Sequence, residues 1–191
     1  MRKEKVFNLL TLILVSIIAG VICISHWRLV EPIKIGNSHE KTYSNAIVGF
    51  SFKYPSDFRA VDRIGVGDIG FVDVFWDRPT NVANSYFIEI SFQPSIAGES
   101  LSNQAMDYLP GIRKEDLIPL VRSGIQGLQY VSNRGAEKSI YNFFVANNYF
   151  IVFKFNQRYF DKTNPLVLID NTLYYGTYSN ILGSLRFDDR S

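Results

Sequence analysis

The sequence predicts an α+β domain, a mostly antiparallel sheet with two or three helices, preceded by one N-terminal transmembrane helix. Three observations lead there. Residues 6–25 carry no charge. From Tyr43 onward, short runs alternate apolar and polar residues and stop at Pro, Gly or Asn. Only two later stretches, near 100–109 and 172–183, repeat at helical spacing. A chain of 191 residues suits one domain of ordinary size, and 47% hydrophobic residues can build a core. The aromatic share, 15% and mostly Phe and Tyr, favours strands.

Arg2, Lys3 and Lys5 precede the run VFNLLTLILVSIIAGVICIS. Twenty helical residues span roughly 30 Å, the thickness of a hydrocarbon core. Trp27 follows where an interfacial aromatic belongs, and the basic flank favours the cytoplasmic side. The expected plan is a cytoplasmic stub at 1–5, an anchor at 6–25 in membrane lipid, a linker at 26–42 and an extracytoplasmic domain at 43–191. Cys23 and Ser25 also admit a cleaved signal peptide. A lipoprotein is the weaker alternative, because Ile22 stands where a lipobox wants a small residue.

Of 20 basic and 18 acidic residues, three basic and one acidic lie in the first five, and residues 6–25 have none. The formal charge of +2 therefore belongs to the stub, and the rest is balanced. A neutral domain has no electrostatic footprint for nucleic acid. The sole cysteine, Cys23, lies inside the apolar run, so the domain relies on its core and not on disulfides.

Within the domain, Phe50, Phe52 and Tyr54 alternate with Ser51 and Lys53 up to Pro55, a half-buried strand. FRAVDRI and FVDVFWD are strand-like runs flanking glycines, and YFIEISFQP is another, closed by Pro94. SLSNQAMDYLPG reads as a helix capped by Ser100 or Ser102, with Leu101, Ala105, Tyr108 and Leu109 on one face, ended by Pro110-Gly111. Strands are expected at 118–122 and 125–132. Two aromatic runs around Asn147-Asn148 give the strongest hairpin signal, since Asn tolerates the left-handed turn conformation. Phe150 to Phe155 is apolar at nearly every position, as in a central strand covered on both faces. Tyr174, Tyr178, Ile181 and Leu185 mark a helix over 172–183, capped by Asp170 or Asn171, with an apolar tail to Phe187.

Gly65, Gly67 and Gly70 spell G-x-G-x-x-G, and Glu89 lies 19 positions beyond. A dinucleotide loop must enter a helix, whose N-terminus faces the pyrophosphate. FVDVFWD has no helical face, so the glycines read as a hairpin loop. The two histidines, His26 and His39, fall in the linker, which leaves the domain without a His base or a thiol nucleophile. No His or Cys spacing suits a metal, and no cofactor is implied. Asp57, Asp62, Asp68, Asp73 and Asp77 recur at about five-residue intervals and could hold a weakly bound Ca²⁺, though acids so placed are more often turn formers and solvated faces. Trp76, Tyr174, Tyr175 and Tyr178 are candidates for a peptide or sugar groove, against the commoner role of filling core space. Trp76 and Tyr175 are the candidates for a partner or ligand surface, Tyr175 because it lies off its helix's main stripe.

Three segments carry a family resemblance. FSFKYPSDF, IQGLQYVSN, and YNFFVANNYFIVFKF with YSNILGSLRF follow in order over about residues 43–188. Together they resemble the PsbP-like fold family, whose bacterial relatives include many secreted or membrane-tethered domains. The resemblance implies an antiparallel sheet sandwiched by helices, an extracytoplasmic location and an accessory or binding role. This chain departs from the photosynthetic members in its apparent anchor and in lacking domain histidines that could bind metal, so no metal or photosystem residue is carried over.

Two functions follow as expectations. The first is a membrane-anchored extracytoplasmic binding or accessory domain without catalysis, acting on an envelope protein or small ligand. The alternative is an envelope hydrolase using two carboxylates from residues 57–89, which requires the pair to sit roughly 5–10 Å apart in a cleft. In fractionated cells the full-length chain is expected in the membrane pellet after alkaline extraction, with a C-terminal epitope cut by external protease. Recovery of the full-length chain from soluble cytosol would overturn both anchor and compartment.

Overall fold

The computed structural model describes residues 39–64, 69–76, 88–160 and 164–188. The stub, the anchor and nearly all of the linker lie outside them. Among the described residues no helix is long and apolar enough to cross a membrane.

Strands β1 (Glu40–Asn45), β2 (Phe50–Pro55) and β11 (Arg186–Phe187) form a small antiparallel sheet in the order β1-β2-β11. The main sheet runs β3 (Phe58–Ile64), β4 (Gly70–Trp76), β5 (Ile88–Pro94), β9 (Tyr149–Phe160), β8 (Glu137–Ala146), β7 (Ile125–Arg134), β6 (Ile118–Arg122). The short β10 (Leu168–Asp170) pairs with the far end of β9. All of these pairings are antiparallel. Among the described residues two short helices, α1 (Leu101–Tyr108) and α2 (Tyr175–Gly183), and two single 3₁₀ turns complete the fold.

The period of two decides what covers each face. Ile88, Ile90 and Phe92 of β5, Phe144 of β8, and Ile151, Phe153 and Phe155 of β9 point one way. There they meet Phe50 and Phe52 of the small sheet and Tyr178, Ile181, Leu182 and Leu185, from α2 and just beyond it. Phe143, Phe150 and Val152 point the other way, onto Ala105 of α1 together with Ile112 and Leu117. The sheet is thus covered on both faces, with one helix on each side, and the first half of β9 is buried on both, as its nearly continuous apolar run requires.

Local chemistry sets the elements. Asn45 Oδ1 accepts from the backbone N–H of Ile47 and Val48, both at 3.0 Å, closing the β1–β2 turn. Ser100 Oγ accepts from Asn103 N at 3.2 Å and caps α1, and Leu109 ends it. Asp170 Oδ1 accepts from Thr172 N at 2.8 Å and starts the turn that leads into α2. Asn171 Nδ2 donates to the Asn156 carbonyl at 2.9 Å, tying that turn to β9.

Some expectations need correction. β1 begins at Glu40, inside the stretch read as linker; its residues are mostly exposed, so no apolar alternation announced it. β10 was not foreseen, because its three residues are too few for a period to show. The last helix opens as a 3₁₀ turn over Thr172–Tyr174 and becomes α-helical only at Tyr175.

Gly65 and Gly67 lie outside the described residues, but the strands on either side of the glycine motif are described. β3 and β4 pair antiparallel from Phe58↔Trp76 to Ile64↔Gly70, and a strand follows Gly70, where a dinucleotide loop needs a helix. Gly70 has its own reason: it faces Phe92 across β5, and a Cβ there would lie 2.1 Å from the Phe92 ring. Gly127 repeats the device opposite Phe144, with a Cβ falling 2.6 Å from that ring and 2.8 Å from the Phe143 carbonyl oxygen.

The β8–β9 turn holds Asn147 and Asn148 at φ 50° and 64°, the left-handed pair a two-residue hairpin needs. Asn147 Nδ2 also donates to the carbonyls of Val48 (3.1 Å), Gly49 (3.3 Å) and Asp188 (3.1 Å), pinning the hairpin tip to the small sheet. Asn147→Gly keeps the turn conformation but loses these bonds, and should cost about 1–2 kcal/mol in urea unfolding. Asn147→Ala should cost about 1 kcal/mol more, because alanine resists the left-handed region. Equal stability of Asn147→Gly and the parent would contradict the pinning role.

Candidate functional site: a polar cleft beside the first helix

On the face that carries α1, one register row crosses five adjacent strands. Asp73 of β4 pairs with Glu89 of β5, Glu89 with Lys154 of β9, Lys154 with Tyr141 of β8, and Tyr141 with Tyr130 of β7. Beyond the reach of α1, Glu89, Lys154, Tyr141 and Tyr130 of this row form the floor of a cleft of about 290 Å³. Leu109 and Ile112 wall it on the helix side; Ser132, Ser139 and Asn156 line the next row; Arg134, Glu137 and Lys138 stand at the strand ends.

Lys154 Nζ donates to Glu89 Oε1 at 2.9 Å, and Asn156 Nδ2 donates to the same oxygen at 2.7 Å. Ser139 Oγ donates to Asn156 Oδ1 at 3.5 Å. These side chains form one ordered polar strip. Beside it Tyr130 and Tyr141 lie with ring centroids 6.2 Å apart, and Tyr141 continues onto Phe143 in a stacked pair. Both tyrosines are half-buried. Burial alone would lower the Lys154 pKa; the Glu89 carboxylate, by charge and hydrogen bond, outweighs it and holds the ammonium above the ordinary lysine value. Burial pushes the Tyr141 hydroxyl up, against the pull of Lys154.

The sequence-derived candidates fall elsewhere or outside the described residues. Asp68 and Asp77 lie outside them. Asp62 accepts from Tyr43 Oη at 2.5 Å. Asp73, only 2% exposed, forms an ion pair with Arg63, whose Nη2 reaches Asp73 Oδ1 at 2.9 Å. Among the described residues no group of three or more His, Cys, Asp or Glu side chains could hold a metal ion. Trp76 ends β4 opposite Phe58, and its side chain is outside the described residues. Tyr175 is 48% exposed, and its ring sits 6.2 Å from both Phe155 and Tyr178 on the α2 side of the sheet. It therefore does not join the cleft. Tyr178 is core, stacked 4.8 Å from Phe155 with its hydroxyl accepting from Asn142 Nδ2.

Sequence reasoning overlooked Lys154 and Glu89 as a pair. The available signal was Lys154 itself, one charge inside an otherwise apolar central run. A buried strand tolerates such a charge only opposite a partner.

No family model matches the chain, and no curated protein matches it. Among solved structures the chain is similar to cyanobacterial PsbP (CyanoP) from Synechocystis sp. PCC 6803, with a TM-score of 0.47 and 13% identity, covering 81% of this chain and 96% of that one. It is also similar to a protein of Bacteroides thetaiotaomicron VPI-5482 known from a crystal structure, with a TM-score of 0.43 and 8% identity, covering 78% of this chain and 49% of that one.

Replacing Glu89 by Gln leaves Lys154 half-buried without its counter-charge and should cost about 1–2 kcal/mol at neutral pH. The raised lysine pKa adds stability that is full below the unfolded value of about 10.4 and disappears as pH climbs through the folded value. Urea unfolding from pH 7 to 11 should therefore show the parent losing its advantage over Glu89→Gln at the alkaline end. A difference that stays constant across that range would show that the ion pair is not its source.

Proposed function

We propose that this chain is a membrane-tethered, extracytoplasmic accessory domain that binds a partner through the cleft beside α1 and does not catalyse a reaction. The tether rests on the uncharged run at 6–25 and its basic flank. The binding role rests on the cleft, where fixed donors and acceptors lie beside an aromatic surface on a rigid sheet.

One observation carries the non-catalytic reading: each carboxylate facing the α1 side from β4 and β5 has its own cation. Asp73 is paired with Arg63 and Glu89 with Lys154. A glycosidase-type pair needs one carboxyl held protonated as general acid. Here each carboxylate is instead engaged by a cation, Asp73 Oδ1 by Arg63 Nη2 and Glu89 Oε1 by Lys154 Nζ, both at 2.9 Å. Asp73 and Glu89 are cross-strand neighbours, but Asp73 is buried and does not line the cleft, which speaks against the hydrolase alternative.

Photocrosslinking in intact cells tests the reading. A benzophenone side chain at Lys138, on the cleft rim, should give discrete adducts identifiable by mass spectrometry. The same group at Ile47, exposed on the β1–β2 turn, should give none. Absence of adducts at Lys138, or equal labelling from both positions, would overturn binding through this cleft.

A further inference from the structure

The chemistry of the cleft restricts what it can hold. Its volume, about 290 Å³, falls just below the roughly 300–1,000 Å³ of ligand pockets. That suits a small molecule or the end of a chain, and not a folded epitope, which needs a broad surface. The floor is charged but internally neutral, since Lys154 and Glu89 hold each other at 2.9 Å. An anion entering beside Lys154 would meet Glu89, and a cation beside Glu89 would meet Lys154. Either would have to separate a partly buried pair. A neutral molecule with both donors and acceptors would meet them without doing so.

Half of the floor is aromatic. Tyr130 and Tyr141 line it with two tilted rings, the Lys154 ammonium lies 6.0 Å from the Tyr141 ring centre, and Glu89, Asn156 and Ser139 continue the polar strip from it. A pyranose ring matches that division. It offers C–H bonds on its face, which pack on aromatic rings, and hydroxyls at its edge, which both donate and accept. The strip is already ordered by its own hydrogen bonds, so little side-chain freedom is lost on binding.

We infer that the cleft is a saccharide-binding site, a neutral sugar ring lying on Tyr130 and Tyr141 with its hydroxyls along the Lys154–Glu89–Asn156 strip. The inference rests on the binding reading above and gives it a ligand class. A neutral glycan of the envelope then becomes the partner.

Saturation-transfer NMR on the full chain in phospholipid nanodiscs tests this, with neutral trisaccharides of glucose and of N-acetylglucosamine as probes. At least one should receive saturation, strongest at the ring C–H protons of a single face. Tyr130→Ala should weaken binding about tenfold, the size of one aromatic contact, while Tyr130→Phe should stay within about threefold. Ser132→Trp, which fills the cleft from a half-buried strand position, should abolish transfer in a chain whose circular dichroism is unchanged. No transfer to either probe, transfer only to an acidic trisaccharide, or full binding by Ser132→Trp would overturn the assignment. If cell crosslinking at Lys138 meanwhile traps a protein, the accessory reading survives and the saccharide assignment alone fails.

Discussion

The double burial of β9 is the constraint on which the rest depends. This strand pairs with β5 and β8 along its length and with β10 at its end. Its odd positions from Ile151 to Phe155 enter the core shared with the small sheet and α2, and Phe150 and Val152 enter the core under α1. Each buried Phe contributes about 1.5–3 kcal/mol, and here neighbouring residues spend that burial on different layers. A register slip by one would exchange the two sets and mismatch both cores. The Asn147-Asn148 turn fixes that register from one end, and the Asn171 bond to Asn156 holds the strand's far end against the turn before α2.

The cleft follows from incomplete cover. An eight-residue helix is about 12 Å long, while seven strands span roughly 30 Å. α1 therefore shields only part of its face. On that face β9 changes character where the helix stops: Phe150 and Val152 are apolar, Lys154 and Asn156 are polar. On the opposite face it stays apolar through Phe155. β5 is polar along that whole face, with Glu89 in the cleft and Ser91 Oγ 2.9 Å from Tyr108 Oη of α1, while Ile88 and Ile90 enter the opposite core. The ion pair, the amide and the serine make this uncovered part a defined polar surface and not a sticky patch.

Much of the fold was legible because its signals are local. The hairpin over Asn147-Asn148, the cap at Ser100, the stripe of Tyr178, Ile181 and Leu185, and the strand character after Gly70 each lie within a few residues of sequence. β1 and β10 were not legible: β1 exposes most of its side chains, and β10 owes its existence to the protruding end of β9. The site was less legible than the fold. Its residues come from strands 5, 7, 8 and 9, and sequence shows neither which strands adjoin nor which face a helix leaves bare. Tyr130 and Tyr141 read as ordinary strand aromatics until β7 and β8 pair them. Tyr175 was rightly expected to be exposed, yet exposure beside α2 does not place it near the polar strip.

Native-state hydrogen exchange of individual amides tests the central role of β9 most directly. The amides of Phe150 to Phe155 should be the most protected in the domain and exchange only with global unfolding, while those of the edge strands β3, β6 and β10 open at lower free energy. Exchange of the β9 amides through a local opening that leaves either face's core intact would contradict the account, because it would show that the two layers stand without the strand between them.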